Sequence, residues 1–394
     1  MTALSRSFLD FNLKSIHLDL LRRCGCHSVF SRRESSKIPP IDDWKVQKTG
    51  EKSARGSTRE KNEKKAKSNS KANVKVCIIG AGVTPLYTAI LLKQYRNIGS
   101  IRLVDTREST PETLTNASHL ETSPRIDYFQ KKDIKQALRE ANIVALMDET
   151  DVAATGSNVT VQEQFKLTAD YVRQMTDRIL RFNPDALVAV FARPVTATLA
   201  MVSEIFRSAG WWNPDRIVGS TSTYGGRIEE TAATILNLER TSLSVPLAGG
   251  ADARTVVPLL SRAVPFNQFT NVQRKTLLQS FRTGDGEART GLNESRSLSS
   301  GTAAAKLIIN LAAGLSGHDR VITCAYVRSD VLPVCRFFTS ELEFGPEGVK
   351  RNLGLPKISA AEVLLIDQAI PLINEHVDMA VAAVRTEKTR TRMQ

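Results

Sequence analysis

The stretch VKVCIIGAGVTPLYTAILLKQY, beginning at Val74, constrains the fold more than any other part of this 394-residue chain. An apolar run of strand length enters a glycine turn, and the turn opens a segment whose Leu86, Ile90 and Leu91 are spaced for one helical face. SIRLVDT follows, a second apolar strand ending in Asp105. Strand, turn, helix and strand in that order form a βαβ unit, which buries its apolar faces only within a parallel sheet covered by helices.

The alternation continues downstream. ALREANIVALM predicts a helix end and a buried strand, residues 162–182 a long amphipathic helix, and ALVAVFARPV another strand. The economical architecture is α/β: a Rossmann-type doubly wound parallel sheet over residues 73–218. The SFRTGDGEART loop, the short strands near VITCAYV and the C-terminal helix SAAEVLLIDQAIPLINEHVDMAVAAV predict an α+β half over 219–386, with a tail at 387–394. Glycines after the first strand let the backbone approach a pyrophosphate on the helix N-terminus, and an acid about twenty residues on holds the ribose hydroxyls. Gly80, Gly82 and Asp105 are therefore candidate cofactor-binding residues, and Asp105 favours NAD over its phosphorylated analogue.

Residues 1–72 carry 17 Lys/Arg against 8 Asp/Glu, so most of the net charge of +13 lies ahead of the first strand. Within 1–33, six basic residues and an apolar face from Phe8, Phe11, Leu13, Ile16, Leu18 and Leu21 read as a mitochondrial presequence, against which Asp10 and Asp19 count. A cytoplasmic chain with a leader of chance periodicity is the alternative. Residues 34–72 contain a lysine-rich run poor in aliphatic side chains, which cannot offset its ordering entropy and reads as a disordered linker. Its nine Lys/Arg over 48–73 could touch nucleic-acid phosphates, but without interleaved aromatics the solvated spacer is the plainer reading. The five cysteines lack metal-ligand spacing, so neither a disulfide framework nor a metal site is expected. Cys77 and Cys324 read as small core residues. No run of eighteen uncharged apolar residues exists to span a membrane.

Nine landmarks then follow in order: IIGAG, RLVD, NASHL, FARPV, RIVGSTSTYGGR, VPLAGGADARTVVPLLS, LSSGTAAAKLI, VITCAYV and CRFFTSELEFGPEGV. Over Val74 to Val384 the chain resembles the lactate/malate dehydrogenase family, malate dehydrogenases in particular. The resemblance implies hydride transfer from a 2-hydroxy acid to NAD, with a histidine accepting the hydroxyl proton, an aspartate orienting it and arginines gripping the carboxylates. It also implies a homodimer.

In this chain the histidine position after Gly249-Gly250 holds Ala251, and a methyl group accepts no proton. Tyr224 occupies the aspartate position, while Arg227 keeps the substrate-binding arginine. Arg193 stands where the family has an asparagine before proline, a cation aimed at the nicotinamide and substrate space. No arginine lies between Arg139 and Arg173, so the loop that would clamp the substrate lacks its guanidinium groups. Val83 and Leu86 replace family glycines beside Gly80 and Gly82. His17, His27, His119, His318 and His376 offer no replacement base by position, His119 being read as structural and His376 as a surface or packing residue. The resemblance therefore implies no catalytic residue, and NAD binding that is weakened or absent.

Three functions follow as expectations. The first is a malate dehydrogenase-like pseudoenzyme retained for binding or assembly. The second is an NAD-dependent malate or other 2-hydroxy acid dehydrogenase with a rearranged site, in which Tyr224 and Arg227 serve as acid and anchor. The third is a structural subunit of a larger mitochondrial assembly.

Overall fold

Strand sequences with no polar side chain can be satisfied only at the centre of a covered sheet, and the computed structural model places them there. It describes residues 73–106, 124–149, 160–239, 242–283 and 293–393. The presequence and linker readings, His119 and the loop at 150–159 fall outside those residues.

Six parallel strands come first: β1 (Val74–Gly80), β2 (Ile98–Asp105), β3 (Ile126–Gln130), β4 (Ile143–Leu146), β5 (Leu187–Val190) and β6 (Ile217–Gly219). Their spatial order is β3-β2-β1-β4-β5-β6, the order of a doubly wound dinucleotide fold. Every residue of β4 and β5 is buried, as interior parallel strands with helices on both faces require. Five more strands continue the same sheet: β7 (Leu247–Gly249), β8 (Val256–Pro258), β9 (Val321–Arg328), β10 (Phe337–Gly345) and β11 (Gly348–Asn352). β6 pairs antiparallel with β9 through Gly219 and Tyr326, and β10 carries β7 and β11. Asn73–Gln394 is one compact unit. The boundary expected at 218/219 falls within β6, where the sheet changes from parallel to antiparallel pairing without a break.

The helices are α1 (Val83–Leu92), α2 (Ile134–Leu138), α3 (Val161–Phe182), α4 (Val195–Ala209), α5 (Ser222–Ile235), α6 (Asn271–Thr283), α7 (Asn293–Leu315) and α8 (Ala360–Met393). The α3 N-terminus is fixed by a capping box: Thr160 Oγ1 accepts from Glu163 N, and the Glu163 carboxylate accepts from Thr160 N. Leu298–Leu315 of α7 is long and apolar enough to cross a membrane by length and composition, yet half of it is buried inside the fold. It runs against α1, where the Thr88 hydroxyl donates to Gly301 O at 3.2 Å. Cys77 is fully buried in β1 and Cys335 is buried. Burial pushes the Cys77 and Cys324 thiols up to about 12, so neither ionises near neutrality.

Candidate functional site

In an open α/β sheet the ligand crevice forms at the carboxyl ends of the strands where the order reverses, here between β1 and β4. The backbone ladder runs up to its edge: Met147 N donates to Ile79 O at 2.8 Å and Ala81 N to Asp148 O at 3.1 Å. The crevice is lined by Thr84 and Pro85 of α1, Asp148, Arg193, Thr223 and Tyr224 of α5, and Ser300 of α7, among others.

Gly80 ends β1, and a Cβ there would stand 2.9 Å from Pro85 Cγ and 3.0 Å from Met147 Cβ. Gly82, the α1 N-cap, has φ 88°, which only glycine adopts without strain. No side chain caps this helix and no acid occupies its first turn, so its N-terminus remains suited to an anion. Val83 is 36% exposed at the helix start, whereas Leu86 is buried. Asp105 ends β2, buried, with the Tyr128 hydroxyl at 3.5 Å from its carboxylate.

The β4–β5 end is filled. Asp148 Oδ1 accepts from the Arg193 backbone N at 2.8 Å, and Oδ2 accepts from Arg193 Nε at 2.9 Å. Arg193 thus lines the crevice with its guanidinium held by a carboxylate from the neighbouring strand end. Glu149 follows and meets Lys131 at 3.4 Å. Burial, reinforced by the charges of Glu149 and Asp148, holds the Tyr171 hydroxyl well above its ordinary value. The interior space left is about 40 Å³, room for waters where small-ligand pockets offer roughly 300–1,000 Å³.

The turn joining β7 to β8 sits one layer below. Gly249 has φ 92°, and Ala251 is fully buried with its N–H donating to Thr196 Oγ1 at 3.1 Å. Asp252 accepts from Thr196 N at 3.3 Å, and His376 Nδ1 of α8 lies 3.8 Å from the same carboxylate oxygen. His376 is therefore a core residue; the surface alternative does not describe it. Neither member of this pair is among the crevice-lining residues, and no described histidine lines the crevice. His318 is exposed beside Asn97.

Of the residues singled out from sequence, the fold brings Tyr224 and Arg193 into the crevice together. Arg227 lies three residues beyond Tyr224 on α5, half-buried, and is not among the lining residues. Sequence reasoning missed Asp148, whose pairing with Arg193 spans 45 residues and has no periodic signature. It missed the hydroxyl lining from Thr84, Ser220, Thr223 and Ser300 for the same reason.

No family model matches the chain. It is 29% identical over 316 residues to the mitochondrial malate dehydrogenase of Caenorhabditis elegans, covering 79% of this chain and 91% of that protein. It is 29% identical over 311 residues to the malate dehydrogenase of Photorhabdus laumondii, covering 78% and 98%. Among solved structures, the apo malate dehydrogenase of Picrophilus torridus superposes with a TM-score of 0.66 at 16% identity, covering 80% of this chain and 99% of that one. Collinear landmarks, strand order and near full-length likeness agree: the chain has the Rossmann-type fold of malate and lactate dehydrogenases and is similar to malate dehydrogenases over about 80% of its length.

Proposed function

We propose that this chain is a malate dehydrogenase-like pseudoenzyme, retained for binding or assembly, with no useful dehydrogenase turnover. The observation that carries the reading is Ala251, fully buried where the family resemblance places the proton acceptor. Losing a positioned general base costs about 10²–10⁴ in rate. Each missing charge-assisted hydrogen bond to a substrate carboxylate removes roughly 1.5–3 kcal/mol more.

The family implies NAD, and the two ends of the crevice fit it unequally. Gly82 and the uncapped start of α1 suit a phosphate. The Arg193–Asp148 pair and the roughly 40 Å³ of interior space beside it support weak accommodation of a nicotinamide ring there. Residual affinity through the phosphate end is the expected limit. A mitochondrial site of action rests on the basic leader and on the mitochondrial relatives. Homodimerisation is carried over from the family, and a larger mitochondrial assembly is the other retained role.

A second reading, with Tyr224 as acid and Arg227 as anchor, has one observation in its favour: Tyr224 lines the crevice, three residues before Arg227 on the same helix. NADH absorbance with purified protein and oxaloacetate or other 2-oxo acids separates the two. Background rates are expected. Clear turnover that disappears in Arg227→Ala overturns the pseudoenzyme reading.

A further inference from the structure

The opposite end of the sheet holds a second concavity, sharing no residue with the crevice. Where β5 and β6 begin, the turn at Pro184 and Asp185, the segment after α4 and the β10–β11 turn enclose about 510 Å³, a volume within the range of small-ligand pockets. Two of the chain's three tryptophans, Trp211 and Trp212, line it.

Their placement follows from how α4 ends. Gly210 adopts φ 82°, its N–H bonds Arg207 O at 3.3 Å, and the Trp211 N–H bonds Phe206 O at 3.1 Å. This is a Schellman cap, which also brings the residue after the glycine beside the one three positions inside the helix; Trp211 and Phe206 both line the pocket. Trp212 packs against the main core. Trp211 stays 52% exposed, an indole held in fixed backbone but left facing water.

The charges around it are unbalanced. Arg216 is occupied: its guanidinium donates to the carbonyls of Asp185 and Glu347 and to the Glu347 carboxylate at 3.3 Å. Among the described residues the exposed Asp185 carboxylate has no hydrogen-bonding or ionic partner, and Glu347 is 92% exposed. Two carboxylates therefore face one cation that is already engaged. No cation stacks on either tryptophan among the described residues; the cation–π pair in the fold joins Arg181 to Phe182.

An indole face is electrostatically negative and attracts cations. Unpaired carboxylate adds to that attraction and repels anions, while a neutral ligand would leave it unused. We propose that this pocket binds an alkylammonium group, stacked on Trp211 and paired with Asp185 and Glu347. That chemistry belongs equally to a free amine and to a lysine side chain of another polypeptide. The proposal stands independently of the pseudoenzyme reading.

Calorimetric titration of the full chain at low salt tests it, with tetramethylammonium, a lysine-containing peptide, and acetate as the anionic control. Both cations, or one of them, bind saturably and acetate does not. Response to tetramethylammonium assigns a free cation, and response to the peptide alone assigns a polypeptide side chain. Trp211→Ala weakens binding roughly 5- to 30-fold, Trp211→Phe by less, and Asp185→Asn roughly 2- to 5-fold. Added salt removes the Asp185 contribution. Absence of saturable binding by any cation, or equal binding by a folded Trp211→Phe/Asp185→Asn double variant, overturns the proposal.

Discussion

The glycine turns of this chain and the crevice wall between them answer to different constraints. At Gly80 a Cβ would meet Pro85 and Met147; at Gly249 it would stand 2.3 Å from Thr255 O, and at Gly250 2.2 Å from Thr255 Oγ1. These positions need glycine whether or not a ligand ever binds. Ala251, Tyr224 and Arg193 carry no such backbone demand, and it is there that the proposed reading places the departures from the dehydrogenase pattern. A glycine signature therefore reports the fold, and the site has to be judged from the side chains that reach it.

The most damaging test of that contrast is Gly249→Ala. Positive φ and contact with a carbonyl oxygen together are expected to lower stability by about 3 kcal/mol or more, read from urea unfolding. A loss below about 0.5 kcal/mol would mean that the turn does not require its glycine.

Glu362→Gln probes the same scaffold with charge. Burial pushes this carboxyl up, but hydrogen bonds from the Ser261 hydroxyl, Ser261 N at 2.8 Å and Ser359 N at 2.9 Å outweigh it and hold the group below its ordinary value. A folded-state value below the unfolded one gives stability that is present above the unfolded value of 4.5 and lost as pH falls through the folded value. The variant is expected to be about 2 kcal/mol less stable at neutral pH and to lose less on acidification from about pH 5 to about pH 3. Parallel acid-unfolding curves for the two proteins would remove Glu362 from the scaffold argument.

On the crevice side, Asp148→Ala leaves Arg193 without its carboxylate. Because Arg193 is 34% exposed, solvent screening holds the expected loss to about 1–2 kcal/mol. The double variant Asp148→Ala/Arg193→Asn removes both charges and is expected to regain part of that stability. It also opens the β4–β5 end, so NADH fluorescence titration is expected to show roughly tenfold tighter binding than in the unsubstituted protein, about 1.4 kcal/mol. Unchanged affinity in a folded double variant would show that the ion pair does not limit the crevice.

The sheet was legible because its information is local and periodic. Apolar runs such as VKVCIIG and LVAV, and the glycine turn after the first of them, each specify a structure within a few residues. The continuation of the sheet beyond β6 was not legible, since Gly219 pairs with Tyr326 across more than a hundred residues. The candidate site divides similarly. Ala251, Tyr224 and Arg193 could be placed by resemblance, but the Asp148 carboxylate that captures Arg193 and the Asp252 carboxylate beside His376 are long-range pairings. For His376 the sequence left surface and packing roles open, and at 6% exposure the structure selects packing.

Introducing the base that the proposed reading finds missing is the smallest expected effect and the sharpest discrimination. Ala251→His, alone or with Tyr224→Asp, returns the proton acceptor and its orienting carboxylate to the positions that the family resemblance assigns. If the base were all that this crevice lacked, turnover of oxaloacetate with NADH should rise by about 10²–10⁴. No measurable rise is expected, for two physical reasons. Position 251 is fully buried, with its N–H bonded to Thr196, so an imidazole there would have to displace core. On the proposed reading, Arg193 and Asp148 would still hold the β4–β5 end of the crevice, which the resemblance assigns to hydride transfer. Combining all four substitutions, with Arg193→Asn and Asp148→Ala added, separates these reasons: activity appearing only in the combined variant assigns the loss to occlusion as well as to the absent base, whereas a rise with Ala251→His alone would mean that the crevice wall had never ceased to be a dehydrogenase site.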